Sequence, residues 1–334
     1  MTSLERMPTL ARLMESEARP LVLITGAAGY LGSVLVDHLL RAGFRVRALD
    51  NFMYHQASLL PHFINPHFEC LVGDVRDADI LKRALEGVQG VVNLAALVGA
   101  PLCEEREKEA WEINYEAALK IDELRDRASQ WYIFPNTTSG YGTRSPVEGP
   151  CTEDTPQEPI SVYGRSKVEA EGELLKSDNV VTLRLTTVFG LSPRMRLDLM
   201  PNDFMWRALR QKTLVIFEGH FRRSFIYITD IARCVEHVIR NLDRMKNRAY
   251  NVGDESMNRT KGELARMVAR LTGCYVHETE IRKDPDRRNY FVSFERIRSA
   301  GFRTTVALDQ GLEALYRGLR TLHWTIPYAN VEYY

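Results

Sequence analysis

The sequence predicts an α/β protein: a doubly wound parallel sheet followed by a smaller C-terminal lobe. Three observations carry that prediction. Short runs rich in Val, Ile and Leu alternate with amphipathic stretches as far as about residue 190. A glycine-rich turn joins the first apolar run to the first amphipathic stretch, and beyond Phe189 the regular rhythm gives way to mixed elements.

Taken in order, LVLITG (21–26), FRVRALD (44–50), FECLVGD (68–74), GVVNLAA (90–96), WYIFPNT (131–137) and VVTLRL (180–185) read as strands. Their apolar runs suit burial on both faces, as in a parallel sheet covered by helices. Helices are predicted over 30–42, 78–85, 109–127 and 163–175. After Phe189 come a loop at GLSPRMRLDLMPN (190–202), a strand at TLVIFEG (213–219) and helices over 231–241 and 261–271. Residues 20–190 are therefore expected to form the main sheet domain, and 191–334 mainly a smaller lobe that also returns segments to that sheet. Residues 1–19 read as a tail or a short docking helix.

Composition excludes several classes. Forty-four basic and forty-four acidic residues cancel, so no global field recruits nucleic acid or an acidic membrane, and any anion site has to be local. No apolar run approaches the roughly 20 residues of a membrane span, and the opening residues lack the apolar core of a secretory signal. Five scattered cysteines with no C-x-x-C spacing argue against a disulfide framework or a zinc site. The eight histidines lack ligand spacing, so no metal is assigned. The expectation is a soluble, cytoplasmic protein.

Gly26, Gly29 and Gly32 form G-x-x-G-x-x-G between the first strand and the first helix. Glycines there let the backbone turn sharply and approach a pyrophosphate, whose charge meets N–H groups at the helix N-terminus. Tyr30 and Leu31 lie in the same turn. Asp50 ends the second strand, where a carboxylate accepts hydrogen bonds from the adenosine ribose hydroxyls and repels a 2′-phosphate. NAD is thus the expected cofactor, with Arg45 and Arg47 nearby as the argument for NADP. Asn51, Asp74 with Val75, and Leu94, Ala95 and Ala96 end the same edge of the sheet and are assigned to the cofactor with it.

Tyr163 and Lys167 form Y-x-x-x-K at the start of a helix, a spacing that places phenol and ammonium on one face. The ammonium, with a positive nicotinamide ring, lowers the phenol pKa so that Tyr163 takes a proton from a hydroxyl as hydride leaves the carbon. Lys167 is also placed to hold the nicotinamide ribose. The fifth strand ends in Phe134-Pro135-Asn136-Thr137-Thr138-Ser139-Gly140-Tyr141-Gly142.

With the glycine turn, the acidic strand end, Asn93-Leu94-Ala95-Ala96 and Y-x-x-x-K in this order, the chain from about Leu21 to Arg320 resembles the extended short-chain dehydrogenase/reductase family. The resemblance implies a catalytic triad of Thr137, Tyr163 and Lys167, a Rossmann-like fold, and a nucleotide-diphosphate sugar as substrate. Family dehydratases carry an acidic pair after the catalytic Thr; Thr138 and Ser139 stand there instead, and neither is a carboxylate acid or base. That leaves hydride chemistry, either net oxidation at one carbon or 4-epimerisation. Arg223 and Arg288 match family arginines that pair with the substrate diphosphate, and Thr187 falls where many relatives place a substrate-facing Asn.

The run Gly190 to Leu199, with Asn202-Asp203-Phe204, is similar to a branch that includes GDP-heptose 4-dehydrogenases of surface-glycan pathways. On that resemblance Arg194, Arg196 and Asn202 line the sugar cleft with Thr138 and Ser139, and a homodimer pairs the helices over 109–127 and 163–175. A non-catalytic NAD-binding sensor shares the fold. A Phe at 163 or a lost Lys at 167 would have favoured it, and neither is present.

Overall fold

A computed structural model describes residues 19–144, 149–279 and 289–321. Seven strands form one parallel sheet: β1 (Leu21–Thr25), β2 (Arg45–Asp50), β3 (Phe68–Val72), β4 (Gly90–Asn93), β5 (Trp131–Thr137), β6 (Val180–Leu185) and, after three strands of other sheets, β10 (Arg248–Val252). Their order is β10-β6-β5-β4-β1-β2-β3. All six strands read from the sequence for this sheet are present, and the seventh, TLVIFEG, forms a strand of another sheet over Thr213–Phe217. The order reverses beside β1, so the crevice beyond the carboxyl ends of β1 and β4 is the topological switch point where such sheets bind ligands.

β1 shows why the sequence folds this way. LVLIT is buried along its whole length, with Val22 and Ile24 packing towards one helical layer and Leu21 and Leu23 towards the other. Thr25 is equally buried and is satisfied within the sheet: its hydroxyl donates to Asn93 Oδ1 at 2.6 Å, and Asn93 Nδ2 donates to the Tyr132 hydroxyl at 2.8 Å. That chain of hydrogen bonds locks β1, β4 and β5 together at the end where the crevice opens.

The expected helices at 30–42, 78–85 and 163–175 appear as Tyr30–Arg41, Ala78–Leu85 and Val162–Leu174. The helix expected at 109–127 appears over residues 107–124 with a π turn inside it. It runs as Glu107–Trp111, a π-helical turn Glu112–Glu116 and Ala117–Leu124. Asn114 is buried in that turn: its Oδ1 accepts from Leu97 N at 2.8 Å and its Nδ2 donates to Leu97 O at 3.0 Å and to the Ser166 hydroxyl at 3.2 Å. Single π turns inside helices commonly mark functional positions.

A second hydrophobic cluster supports the remainder, packed from Phe204, Met205, Leu214, Ile216, Phe225, Leu264, Leu312 and Leu315. It lies between helices Met200–Gln211, Lys261–Thr272 and Leu308–Thr321, the three-stranded set β7 (Thr187–Phe189), β9 (Arg222–Tyr227) and β11 (Asn258–Thr260), and the pair β8 (Thr213–Phe217) and β12 (Tyr275–Thr279). Helix Met200–Gln211 corrects the expected loop over 190–202, whose last residues form its first turn, with Pro201 where a missing N–H costs nothing. The expected helices at 231–241 and 261–271 appear as Ile228–Arg240 and Lys261–Thr272. Among the described residues no helix is long and apolar enough to cross a membrane.

Candidate active site

A cavity of about 1080 Å³ opens at the switch point and runs from the glycine turn to β8. Pockets for single small ligands span roughly 300–1,000 Å³, so there is room for two ligands in line. Its lining includes Gly26, Gly29, Tyr30, Leu31, Gly32, Asp50, Asn51, Asp74, Val75, Leu94, Ala95 and Ala96 from the expected cofactor set. Thr137, Thr138, Ser139, Tyr163, Lys167, Thr187, Arg194, Arg196 and Arg223 from the expected catalytic and substrate sets line the same cavity. Arg288 lies outside the described residues.

The glycine turn is built for close backbone approach. Gly26 sits at φ +63°, and a Cβ there would stand 2.7 Å from Ala95 N; a Cβ on Gly32 would stand 2.2 Å from Gly26 O. Gly29 is the N-cap of helix Tyr30–Arg41 and no side chain caps that end. The first turn therefore offers its N–H groups and the helix dipole to an anion. Asp50 is buried behind it: Oδ2 accepts from Ala28 N at 2.9 Å and Oδ1 from Phe52 N at 2.8 Å. Burial pushes its carboxyl up, against the pull of those two N–H groups and of Arg194. Arg47 is committed to Glu69 and to the carbonyls of Ala84 and Glu86, and Arg45 reaches Glu69 at 3.5 Å. Neither lines the cavity, which removes the sequence argument for NADP from those two residues. Asp74 is gripped by Arg76 at 2.8 Å and by Asn51 at 3.1 Å, and the Arg76 hydrogen bond holds its carboxyl down at about 2.

The catalytic groups come from three elements. Thr137 ends β5, and its hydroxyl donates to Ser139 Oγ at 2.9 Å while accepting Ser139 N at 3.1 Å, which caps the short turn that follows. Ser161 caps helix Val162–Leu174, so Tyr163 and Lys167 stand one turn apart on it. Tyr163 is half-buried, and Lys167 is only 2% exposed with Nζ 3.7 Å from the centroid of the Phe134 ring. Burial pushes the Lys167 ammonium down to about 7, with Glu171 one turn on opposing the fall. Glu171 is itself buried, accepting from Asn136 Nδ2 at 2.8 Å and from Arg184 Nε at 2.8 Å. A lysine so placed changes its charge near neutrality and responds to any polar group brought beside it.

Two expected substrate contacts sit elsewhere than foreseen. Asn202 is fully buried and absent from the cavity wall. Its Oδ1 accepts Gly190 N at 3.1 Å, and its Nδ2 donates to Arg196 O at 2.8 Å and to the Tyr30 hydroxyl at 3.2 Å. An amide that fills its hydrogen bonds with loop backbone braces the loop and has nothing left for a ligand. Arg194, carried by that loop, comes to the Asp50 side of the cavity with its guanidinium 4.4 Å from the Tyr54 ring centroid. Its Nε is buried with no hydrogen-bond partner among the described residues, as is the Tyr54 hydroxyl. Arg196 is held in a fork by Asp198.

Sequence reasoning missed Asn114, Glu171, Arg184, Tyr54 and Asp198. Only the first two left a trace: a lone Asn inside an apolar helical run, and an acidic residue four positions after Lys167. The others meet the site only through long-range packing.

Fold and site together define a dinucleotide-dependent enzyme with a Tyr–Lys pair at the switch point of a Rossmann-type sheet. The sequence model of the NAD dependent epimerase/dehydratase family matches residues 22–253, and the chain belongs to that family. It is an enzyme that uses NAD. A UDP-glucose 4-epimerase of Corynebacterium glutamicum is 27% identical over 275 residues, covering 75% of this chain and 80% of the relative. Among solved structures, MoeE5 in complex with UDP-glucose and NAD superposes with a TM-score of 0.74 at 26% identity, covering 90% of this chain and 98% of the other. The UDP-glucose 4-epimerase of Thermotoga maritima shares the fold at a TM-score of 0.79 and 23% identity, covering 90% and 99%.

Proposed function

We propose that the protein oxidises one hydroxyl, at C4, of a nucleotide-diphosphate sugar, with a GDP-heptose as the candidate substrate. The observation that carries this reading is that Thr137, Tyr163 and Lys167 line the same cavity as the glycine turn and the buried Arg223. The glycine-turn N–H groups, Asp50 and Arg194 would hold the dinucleotide; NAD, when bound, supplies the hydride acceptor. Tyr163, as phenolate, takes the proton of the sugar hydroxyl while the carbon gives up hydride, leaving a ketone. Lys167 favours the ionised phenol by its charge, and the Thr137 hydroxyl orients the reacting oxygen. Arg223, 1% exposed, is the diphosphate ligand on this reading, since a guanidinium fork matches phosphate oxygens.

A 4-epimerase is the second reading, favoured by the C. glutamicum relative and the T. maritima neighbour. It uses the same residues and differs in returning the hydride to the other face of the retained ketone. We also propose a homodimer through the 109–127 region and helix Val162–Leu174, and a division between residues 20–190 for the cofactor and 191–334 for the substrate.

Mass spectrometry after incubation with NAD and GDP-heptose, GDP-mannose, UDP-hexoses or dTDP-glucose tests the reading. A product lighter by two hydrogens identifies a dehydrogenase and its substrate. Unchanged mass with an altered sugar NMR pattern identifies an epimerase, and no conversion of any member overturns both in favour of an NAD-binding sensor.

A further inference from the structure

At its second-lobe end the cavity is walled by Asp203, Phe204 and Arg207 of helix Met200–Gln211 and by Val215, Ile216 and Phe217 of β8. The catalytic chemistry uses none of these. If the sugar of a nucleotide-diphosphate sugar lies at Tyr163 and its diphosphate at Arg223, the base is carried on into this end; the inference rests on that reading of the substrate.

The walls suit a flat, polar-edged group. Among the described residues β8 pairs through one edge, with β12, and its Val215 is one of the exposed large apolar side chains. On the helix packed against β8, Asp203 and Arg207 stand one helical turn apart with Nε 3.1 Å from Oδ2. The Arg207 guanidinium lies 5.8 Å from the centroid of the Phe204 ring, so the half-buried pair is held against an apolar surface. Asp203 Oδ1 makes no hydrogen bond among the described residues. Burial pushes the Asp203 carboxyl up to about 6, only partly offset by Arg207 and reinforced by Asp198, so the group gains by meeting further donors.

Base edges differ in how they meet an adjacent acceptor and donor. Guanine presents two neighbouring donors, N1–H and the N2 amine, beside the O6 acceptor. Uracil and thymine present a single N–H between two carbonyls, which sets a carbonyl oxygen against the second carboxylate oxygen. Adenine and cytosine present a ring acceptor where the carboxylate needs a donor. We infer that Asp203 and Arg207 form a guanine-reading pair, Asp203 accepting from N1–H and the N2 amine and Arg207 donating to O6. Specificity then comes as much from repulsion of pyrimidine carbonyls as from attraction to guanine.

The test is calorimetric titration of the NAD-saturated protein with GDP, IDP, UDP and dTDP. IDP is GDP without the N2 amine, so the comparison isolates one hydrogen bond to the carboxylate in the unaltered protein. GDP is expected to bind tightest, with IDP weaker by about tenfold to a hundredfold, the range for a hydrogen bond to a charged group. Asp203→Ala is expected to erase the difference between GDP and IDP, with NAD binding in the same variant reporting that it is folded. Equal affinity for GDP and IDP, or tighter binding of either pyrimidine nucleotide, overturns the guanine assignment and leaves the nucleotide-sugar reading standing. Binding of none of the four overturns both.

Discussion

Replacing Lys167 with Met in the cofactor-free protein is expected to stabilise the fold while destroying the site. The ammonium is buried over an aromatic ring, and burial lowers its pKa from the ordinary 10.5 to about 7, even with Glu171 nearby. Below pH 7 the amine is charged in both folded and unfolded chains, and the folded state bears the whole cost of desolvating it. That cost is roughly 5 kcal/mol at 1.36 kcal/mol per pKa unit, and it is lost as pH rises from 7 to 10.5, where the folded amine is already neutral. Met fills similar volume without charge, so Lys167→Met should exceed the wild type in stability by several kcal/mol at pH 6.5. The gap should shrink by about 1.4 kcal/mol per pH unit above pH 7. Urea unfolding of both proteins at pH 6.5, 7.5, 8.5 and 9.5 measures this. A Met variant that is less stable at pH 6.5, or a gap that does not vary with pH, refutes the account of Lys167 as a strained buried charge.

Other expectations follow from single contacts. Tyr163→Phe should keep NAD affinity and lose turnover by about 10² to 10⁴, the usual scale of general acid–base catalysis, as read by NADH formation on the substrate found by mass spectrometry. Retained turnover would remove the phenol from the chemistry. Gly32→Ala should abolish NAD binding in a fluorescence titration, because its Cβ would meet Gly26 O at 2.2 Å and force the turn apart. Gly29→Ala, with the same oxygen at 3.1 Å, should bind NAD measurably. Equal behaviour of the two variants would mean that the turn is not held as close to Gly26 as described.

The legible part of this protein was the part written in local pattern. LVLIT needed burial on both faces, and the strand that resulted is buried along its length. Gly26 was identifiable because the turn it makes requires φ +63° and leaves no space for a Cβ. Helices at 30–42 and 78–85 followed from periodicity alone, with ends within a residue of those observed. The helix expected at 109–127 formed, but its π turn was not legible, because periodicity cannot register one inserted side chain. In that turn Asn114 is bonded to Leu97 and Ser166, both distant in sequence. β12 was not legible because YVHET has no apolar face and its pairing with β8 is set by distant residues.

By itself the sequence determined the order of elements, the glycine turn, the acidic end of β2 and the one-turn spacing of Tyr163 and Lys167. These depend on φ/ψ preference and on side-chain period, which act within a few residues. Tertiary structure alone decided the direction of each loop side chain from the second lobe. Asn202 turned inwards to brace the backbone of Gly190 and Arg196, while Arg194 on the same loop reached the far side of the cavity beside Tyr54 and Asp50. It also decided that Lys167 would be desolvated and that Asp203 and Arg207 would share a cavity wall with β8. The reason is physical: burial and charge depend on which distant surfaces close over a residue, and that is set by packing of whole elements.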